Sequence, residues 1–540
     1  LAHIFPNKAH CPRNLTDDRS GWIMPGLRDA RVIRMRIGPG GENRMTGTIN
    51  FKRFPLLIFI LFLVAFAFPR PAQAQSAEWT FMVYLDADNN LEDMGIEDFL
   101  EMSDIGSTRE VNIVALFDRA PAHDDSYGDW TNTRRGLIRY GDTPTTSWGT
   151  NLGELNMGDP DSLTDFVQWS ASRYPAKRYA LILWNHGSGW RDPSGRLLPP
   201  TRAIASDDTS GDSLSIKEVR QALLDADNVD QFDIIGFDAC LMAMVEIAYE
   251  LRDLGRVMVA SEDLEPGYGY PYDRIMQVLT ANPTSSAAQL GTTIVEQYYN
   301  YYQETYAVYY PEEVFMQSAV DLSLMGQLAV DIAVLNQTLT DNWRLDQVAC
   351  GAAAQGVLDT LDSAVIHEKH SANSSGSNGL AIYFPQDSFA FSNDYDVSVI
   401  SFPADTGWGS FLHDEFFGSM GNSWVSAART LTRSYDTPEH VDLYDFCEKL
   451  LDSLGGDADA DRIPDETDNC PFVANPDQTD SDGNGVGDAC QGTNDPTDPD
   501  DIEVLPFTPD APGGTAPACG TGAGGLLFFG LIGFGLIRRF

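Results

Sequence analysis

Basic residues are scarce in this sequence: 540 residues carry 35 Lys and Arg against 79 Asp and Glu, a net charge of −44. A polymer this acidic repels phosphate backbones, which excludes nucleic acid as a partner and favours cationic ones, calcium or basic peptides. Cysteine is also sparse. Seven in this length are too few for a disulfide-built scaffold, so each is read singly. No HExxH-type metal motif is present, and long apolar runs are confined to the two ends. What remains is ordinary. Apolar residues make up 43% and aromatics 11%, which excludes a wholly disordered chain and allows a sizeable core.

The ends read as addresses rather than fold. Residues 1–44 are Arg-rich without apolar periodicity and are taken as an upstream artefact, with translation beginning at Met45. From there Lys52-Arg53, the apolar run Leu56 to Phe68 and Ala72-Gln73-Ala74 form the charged, apolar and small-residue order of a signal peptide spanning 45–74. An N-terminal anchor helix is the alternative, but the run is short for a bilayer. At the other end, Cys519-Gly520, a Gly-rich apolar stretch from Leu526 to Ile537 and Arg538-Arg539 resemble a bacterial C-terminal sorting signal over 518–540. Such signals are cut by a membrane protease and exchanged for an anchor; a plain membrane helix is the alternative. Both readings put the body outside the cytoplasm, at the cell surface or in the medium, touching membrane only through this anchor.

Between the ends, 75–456 alternates apolar runs with amphipathic stretches. Strand-like runs are Thr80–Leu85, Val111–Phe117, Tyr179–Trp184, Phe232–Phe237, Val257–Ala260 and Gly379–Phe384. Helical patterns are Leu91–Met102, Ser162–Ser172, Ile216–Asp225, Leu241–Leu254, Ser286–Tyr302 and Leu322–Asp341. Continuous apolar strands separated by helices predict an α/β fold, a mostly parallel sheet covered on both faces. In such sheets function sits on loops leaving the carboxyl ends of strands.

Two strand exits carry chemistry. Leu181-Ile-Leu-Trp184 runs into Asn185-His186-Gly187-Ser188-Gly189-Trp190, and Phe232-Asp-Ile-Ile-Gly-Phe237 runs into Asp238-Ala239-Cys240. An imidazole and a thiol on one sheet edge suit a cysteine nucleophile, with His186 as base and later as acid toward the leaving amine. The helical pattern from Leu241 predicts a helix N-terminus directly after Cys240, whose partial positive charge favours thiolate. Backbone N–H groups at Gly187 and Cys240 are the candidates for receiving an oxyanion. Asn89-Asn90 are read as shaping the turn after the first strand. His367 and His370 are read as a solvated helix face rather than metal ligands.

Taken with Trp79-Thr-Phe-Met-Val-Tyr84, Ala87-Asp88-Asn89-Asn90-Leu91, Asn156-Met157-Gly158-Asp159, and Asp207-Asp208 with Leu214, these motifs resemble the clostripain family of caspase-like cysteine peptidases across about 79–385. The resemblance implies a His186/Cys240 dyad and cleavage after Arg, with Lys as a lesser option. It also implies that Asp238, two residues before the nucleophile, receives the cationic side chain, as a carboxylate pairs with a guanidinium. A helix-capping Asp is the plainer role for that residue. Family members often cut themselves after a basic residue soon after the histidine; Arg196 and Arg202, in the loop-like stretch 191–202, are the candidates.

Beyond a Gly-Gly-Asp break at 455–457, residues 457–503 hold 15 acidic residues and one basic. Asp457, Asp459, Asp461, Asp465, Asp468, Asp480, Asp482, Asn484 and Asp488 alternate so that hard oxygens converge, the donor set calcium takes. This module, 457–491, resembles a pair of thrombospondin type 3 repeats, with Arg462 where the family has Gly; Cys470 and Cys490 can pair across it. Cys350 and Cys447 are either a second pair or buried thiols. A Pro/Asp linker, 492–517, leads to the terminal signal. The whole predicts an exported, surface-tethered cysteine endopeptidase acting on peptides or proteins with basic residues, with a calcium-stiffened stalk. The alternatives are an inactive calcium-dependent binding protein on the same fold, or a transpeptidase on the same dyad.

Overall fold

The computed structural model describes residues 76–121, 123–190, 204–311, 313–342, 347–374, 376–385, 391–392, 395, 400–417 and 440–453, and in the C-terminal module 463, 467–470, 473, 475–481 and 485–490. The expected signal peptide, upstream segment, self-cleavage loop, linker and terminal anchor therefore lie outside the described residues. Among those described, no helix is long and apolar enough to cross a membrane.

A nine-stranded sheet organises the domain. Its strands are β1 (Ala77–Ala87), β2 (Val111–Arg119), β3 (Thr133–Leu137), β4 (Thr150–Gly153), β5 (Ala176–Trp184), β8 (Phe232–Asp238), β9 (Gly255–Ala260), β10 (Met316–Asp321) and β11 (Val365–His370). The spatial order is β11-β10-β9-β8-β5-β1-β2-β3-β4. Strands β2, β1, β5, β8 and β9 run parallel, and the strands on either margin are antiparallel. A small hairpin, β6 (Ile204–Asp207) with β7 (Asp212–Leu214), and a second pair, β12 (Ala381–Tyr383) with β13 (His440–Asp442), stand apart from it.

The parallel centre follows from side-chain alternation. Along β1, Met82 and Tyr84 enter one core while Phe81, Val83 and Leu85 enter the other, so a strand buried on both faces reads as one apolar run. On the second face lie α1 (Glu92–Ile105), α5 (Tyr272–Ala281) and α6 (Ala287–Tyr301). On the first lie α2 (Pro160–Arg173), α3 (Ile216–Asp225), α4 (Val245–Leu251), α7 (Met325–Asn342) and α8 (Gln347–Ala364). Local signals fix several starts: Asp159 caps α2 ahead of Pro160, and Ser215 with Glu218 forms a capping box on α3.

Three expectations change. The strand read over Gly379–Phe384 is the shorter β12, outside the main sheet. His367 and His370 are on the marginal strand β11, not a helix, and pair with Glu296 and Glu368 at 2.6 and 2.9 Å. The helix after Cys240 begins at Val245, because Leu241 turns into the left-handed region at φ 66° and Ala243 N–H instead bonds Ser261 O at 2.8 Å.

The region beyond 385 joins the first core through α9 (Phe402–Thr406), α10 (Trp408–Phe417) and α11 (Leu443–Ser453). Tyr383 and Tyr395 hold the Trp190 ring edge-on, with centroids 5.0 and 4.7 Å away. The C-terminal module is irregular, tied by the Cys470–Cys490 disulfide and by Asn469 donating to Gln478 O at 3.0 Å. Cys350 and Cys447 are buried thiols, which resolves the earlier choice between pair and core.

Candidate active site

The order β8-β5-β1 brings three strand exits side by side. Trp184 is in register with Asp238 across parallel β5 and β8, and Asn185 N–H reaches Asp238 O at 3.2 Å. His186 and Cys240 each stand two residues beyond that matched pair. The backbones close up further: a Cβ on Gly187 would lie 2.1 Å from Cys240 O, so only glycine fits there. On the opposite flank, from the exit of β1, Asn90 Oδ1 lies 3.0 Å from His186 Nε2. Sequence reasoning left Asn90 a turn residue; the signal that could have found it is its place three residues past a buried strand.

The histidine's backbone is clamped from below. Asn185 Nδ2 donates to Asp86 O at 2.8 Å, Asp86 Oδ2 at 2.7 Å and Ser206 O at 3.2 Å, while its Oδ1 accepts from His186 N–H. Burial, then the charges of Asp118 and Asp207, push the Asp86 carboxyl well above the usual range.

Cys240 is fully buried and His186 half-buried. The Glu265 N–H donates to Cys240 Sγ at 3.1 Å. With α4 starting at Val245, the thiol is not at a helix N-terminus, and the dipole expected to act on it is absent. What turns the chain there is Leu241, an uncommon positive-φ position for a residue bearing a side chain.

Asp238 caps no helix: the N-cap of α4 is Met244. Its Oδ2 accepts from Tyr270 N–H at 3.1 Å and Tyr272 OH at 2.9 Å, and Gly269 packs against it, where a Cβ would come within 2.8 Å of Oδ1. Asp98, held by Trp184 Nε1 at 2.6 Å, is raised well above its ordinary value by burial and then by the charge of Asp238. Glu101, pushed up to about 8 by burial and then Asp273, accepts from Tyr272 N–H. Acid and aromatic side chains thus gather around Asp238 on the second face.

Of the remaining predicted residues, Arg196, Arg202, Asp457, Asp459, Asp461, Asp465, Asp482 and Asn484 lie outside the described residues. Asp480 Oδ2 accepts from Gly485 N–H at 2.9 Å, and Asp488 Oδ1 from Ser481 N–H at 2.9 Å. Asp468 Oδ1 accepts from Cys470 N–H at 2.8 Å, whereas its Oδ2 is shielded from water without a hydrogen bond.

A His and a Cys at matched exits of a parallel α/β sheet define a cysteine-peptidase-like architecture. The family model for the clostripain family matches residues 83–459, so the chain belongs to the clostripain family of cysteine peptidases. The thrombospondin type 3 repeat model matches 445–478. Clostripain of Hathewaya histolytica is 34% identical over 227 residues, 37% of this chain; the match spans 42% of that protein's length. A secreted C11 cysteine protease from Bacteroides thetaiotaomicron, solved with an irreversible peptide inhibitor, is similar at TM-score 0.49 and 23% identity, over 62% of this chain and 99% of that one. An inactive zymogen C11 protease from Parabacteroides distasonis is similar at TM-score 0.43 and 18% identity, over 62% and 99%.

Proposed function

We propose that the chain is an exported cysteine endopeptidase that cleaves after basic residues, Arg before Lys, through His186 and Cys240. The register of Trp184 with Asp238 carries the reading, since His186 and Cys240 each follow it by two residues at neighbouring strand exits. His186 takes the thiol proton, Sγ attacks the scissile carbonyl carbon, and the oxyanion is received by the N–H groups of Gly187 and Cys240. His186 then protonates the leaving amine, and water releases the acyl group from sulfur. Asp238 receives the substrate cation, while the raised Asp98 and Glu101 carboxyls beside it favour the proton and leave the charge to Asp238.

Full burial of Cys240 suits a precursor whose nucleophile becomes accessible after a cut in 191–202, at Arg196 or Arg202. The acidic module, with Asp468 Oδ2 in need of a partner, suits calcium as the ion of a stalk formed by 457–491. Export and tethering rest on 45–74 and 518–540, and a membrane sorting protease is the partner the latter implies.

The same burial also favours a second reading, an inactive binding protein on this fold. A panel of fluorogenic peptides carrying Arg, Lys or a neutral residue at the cleavage position, run with Cys240→Ala alongside, decides between them. Arginyl cleavage lost in the variant supports the peptidase. Cleavage that survives the substitution, or none by the processed wild type, rejects it. Mass spectrometry of active enzyme tests the cut: two chains are expected, the first ending at Arg196 or Arg202, and a single intact chain refutes it.

A further inference from the structure

We propose that Tyr395 is a positioning residue for His186: seated by Glu246 and set beside Tyr383, it locks Trp190 and so holds the stretch that carries the imidazole against the loop that carries the thiol. Its effect on rate rests on the peptidase reading; the contacts do not. Trp190 closes the stretch His186-Gly187-Ser188-Gly189-Trp190. Gly189, at φ +71°, leaves that stretch pliant, so the imidazole needs an anchor on either side of it. Asn185 is the first anchor, through Asp86 and Ser206. Trp190 is the second.

Trp190 is buried, and so are both rings that meet it edge-on, Tyr383 at 5.0 Å and Tyr395 at 4.7 Å. Edge-to-face contact is an arrangement that aromatic quadrupoles prefer, so the two rings set the orientation of the indole as well as its depth. The tyrosine rings lie 4.4 Å apart, and in a close-packed interior one does not move without the other. Tyr383 is fixed in turn by Trp408 Nε1, which donates to its carbonyl at 2.8 Å, and by Ser392 N–H, which donates to its hydroxyl at 2.7 Å. Tyr395 OH donates to Glu246 Oε1 at 2.7 Å.

The seat of this brace is the helix that follows the nucleophile. Glu246, Tyr249 and Glu250 share one side of α4, spaced i, i+3 and i+4. Tyr249 OH donates to Asp405 Oδ2 at 2.9 Å, and Glu250 Oε1 accepts from Ser401 Oγ at 2.6 Å, so the same side holds the region beyond 385. The chain between Cys240 and α4 is gripped by β12, where Ala381 N–H donates to Ala243 O at 2.9 Å. Two residues on, Tyr383 sends its N–H to Glu246 Oε1 at 2.8 Å and its ring to Trp190. One three-residue strand therefore touches both limbs. Little slack separates them: a Cβ on Gly189 would come within 2.6 Å of Met244 Sδ.

Packing alone does not ask for a carboxyl here. Glu246 is fully buried, and its Oε2 accepts no hydrogen bond among the described residues. A buried carboxyl costs stability that an apolar side chain of similar volume would not. What it supplies is direction, since two donors converging on one oxygen fix where Tyr383 and Tyr395 stand. The region beyond 385 thereby acts on the imidazole through a single ring, Trp190.

The test uses the full chain with an arginyl fluorogenic peptide. Tyr395→Ala should lower kcat at least about tenfold with KM within about twofold, the mark of a misplaced catalytic group. Tyr395→Phe keeps a ring on Trp190 and should recover most of that loss. Val357→Ala, a core change on α8 outside these contacts, should lower Tm without lowering kcat. Trp190→Phe should show the Tyr395→Ala pattern in weaker form, and it carries the test if Tyr395→Ala does not fold. A second readout needs no activity. In protein labelled at histidine, with the His186 ring signal assigned through His186→Gln, that signal should shift or broaden in Tyr395→Ala and Trp190→Phe while those of His367 and His370 stay in place. Wild-type kcat in both variants, or a loss in Val357→Ala as large as in Tyr395→Ala, would overturn the brace, and so would an unmoved His186 signal. If wild type cleaves no arginyl peptide and the signal still moves, the peptidase reading fails and the brace stands.

Discussion

Asn90 Oδ1 and His186 Nε2 stand 3.0 Å apart across the exits of β1 and β5. Because Asn90 is exposed, truncating it removes an orienting contact without opening the core. Asn90→Ala should lower kcat for an arginyl peptide by roughly tenfold, about 1.4 kcal/mol, with KM and Tm nearly unchanged. Steady-state kinetics with a melting curve checks this; an unchanged kcat would leave Asn90 a turn residue only.

Leu241 holds the chain left-handed directly after Cys240. Glycine adopts that conformation freely and a β-branched residue resists it. Leu241→Gly should therefore keep stability within about 1 kcal/mol, while Leu241→Val loses roughly 1–2 kcal/mol. Denaturant unfolding reads the difference, and alkylation of Cys240 by iodoacetamide reports whether the thiol has moved.

Gly269 meets two constraints at once, a φ of +56° and a built Cβ only 2.8 Å from Asp238 Oδ1. Gly269→Ala should disturb the carboxylate and lower kcat/KM for arginyl peptides by about tenfold or more. Asp238→Asn should cost roughly a hundredfold, since the proposed pairing with guanidinium needs its charge. Equal loss on a neutral-residue peptide would mean that Asp238 does not select the cation.

Glu246 supports the aromatic cage around Trp190: its Oε1 accepts from Tyr383 N–H at 2.8 Å and Tyr395 OH at 2.7 Å. Burial pushes its carboxyl up to about 7, from 4.5. Folding therefore favours the protonated form. Its stabilisation is full below pH 4.5 and is lost as pH rises through 7, on the order of 3 kcal/mol in all. Glu246→Gln should flatten the fall in Tm between pH 5 and 8; parallel curves for the two proteins would contradict this assignment.

Much of the centre was readable because β1, β2, β5, β8 and β9 are buried on both faces and appear as unbroken apolar runs. The margins were not. β11 continues from α8 at Ala364 without Gly or Pro, and its His-Glu-Lys-His sequence has no apolar period, so the strand is set by pairing with β10. Leu241 to Met244 have helical composition, but the edge they lie beside claims the Ala243 amide. The His and Cys were legible as polar residues ending apolar strands. Asn90 was not, because loop closure brings it to a histidine 96 residues away that no local spacing connects to it.

The sheet order has one more outcome. A break anywhere between Trp190 and Ile204 separates β1 to β5 from β8 to β11 in sequence, yet β5 and β8 are bonded neighbours at the middle of the same sheet. The two pieces would share both cores, with Cys240, Cys350 and Cys447 as buried thiols rather than covalent links. The nicked molecule should travel as one particle on a sizing column and come apart in denaturant alone, with reductant making no difference.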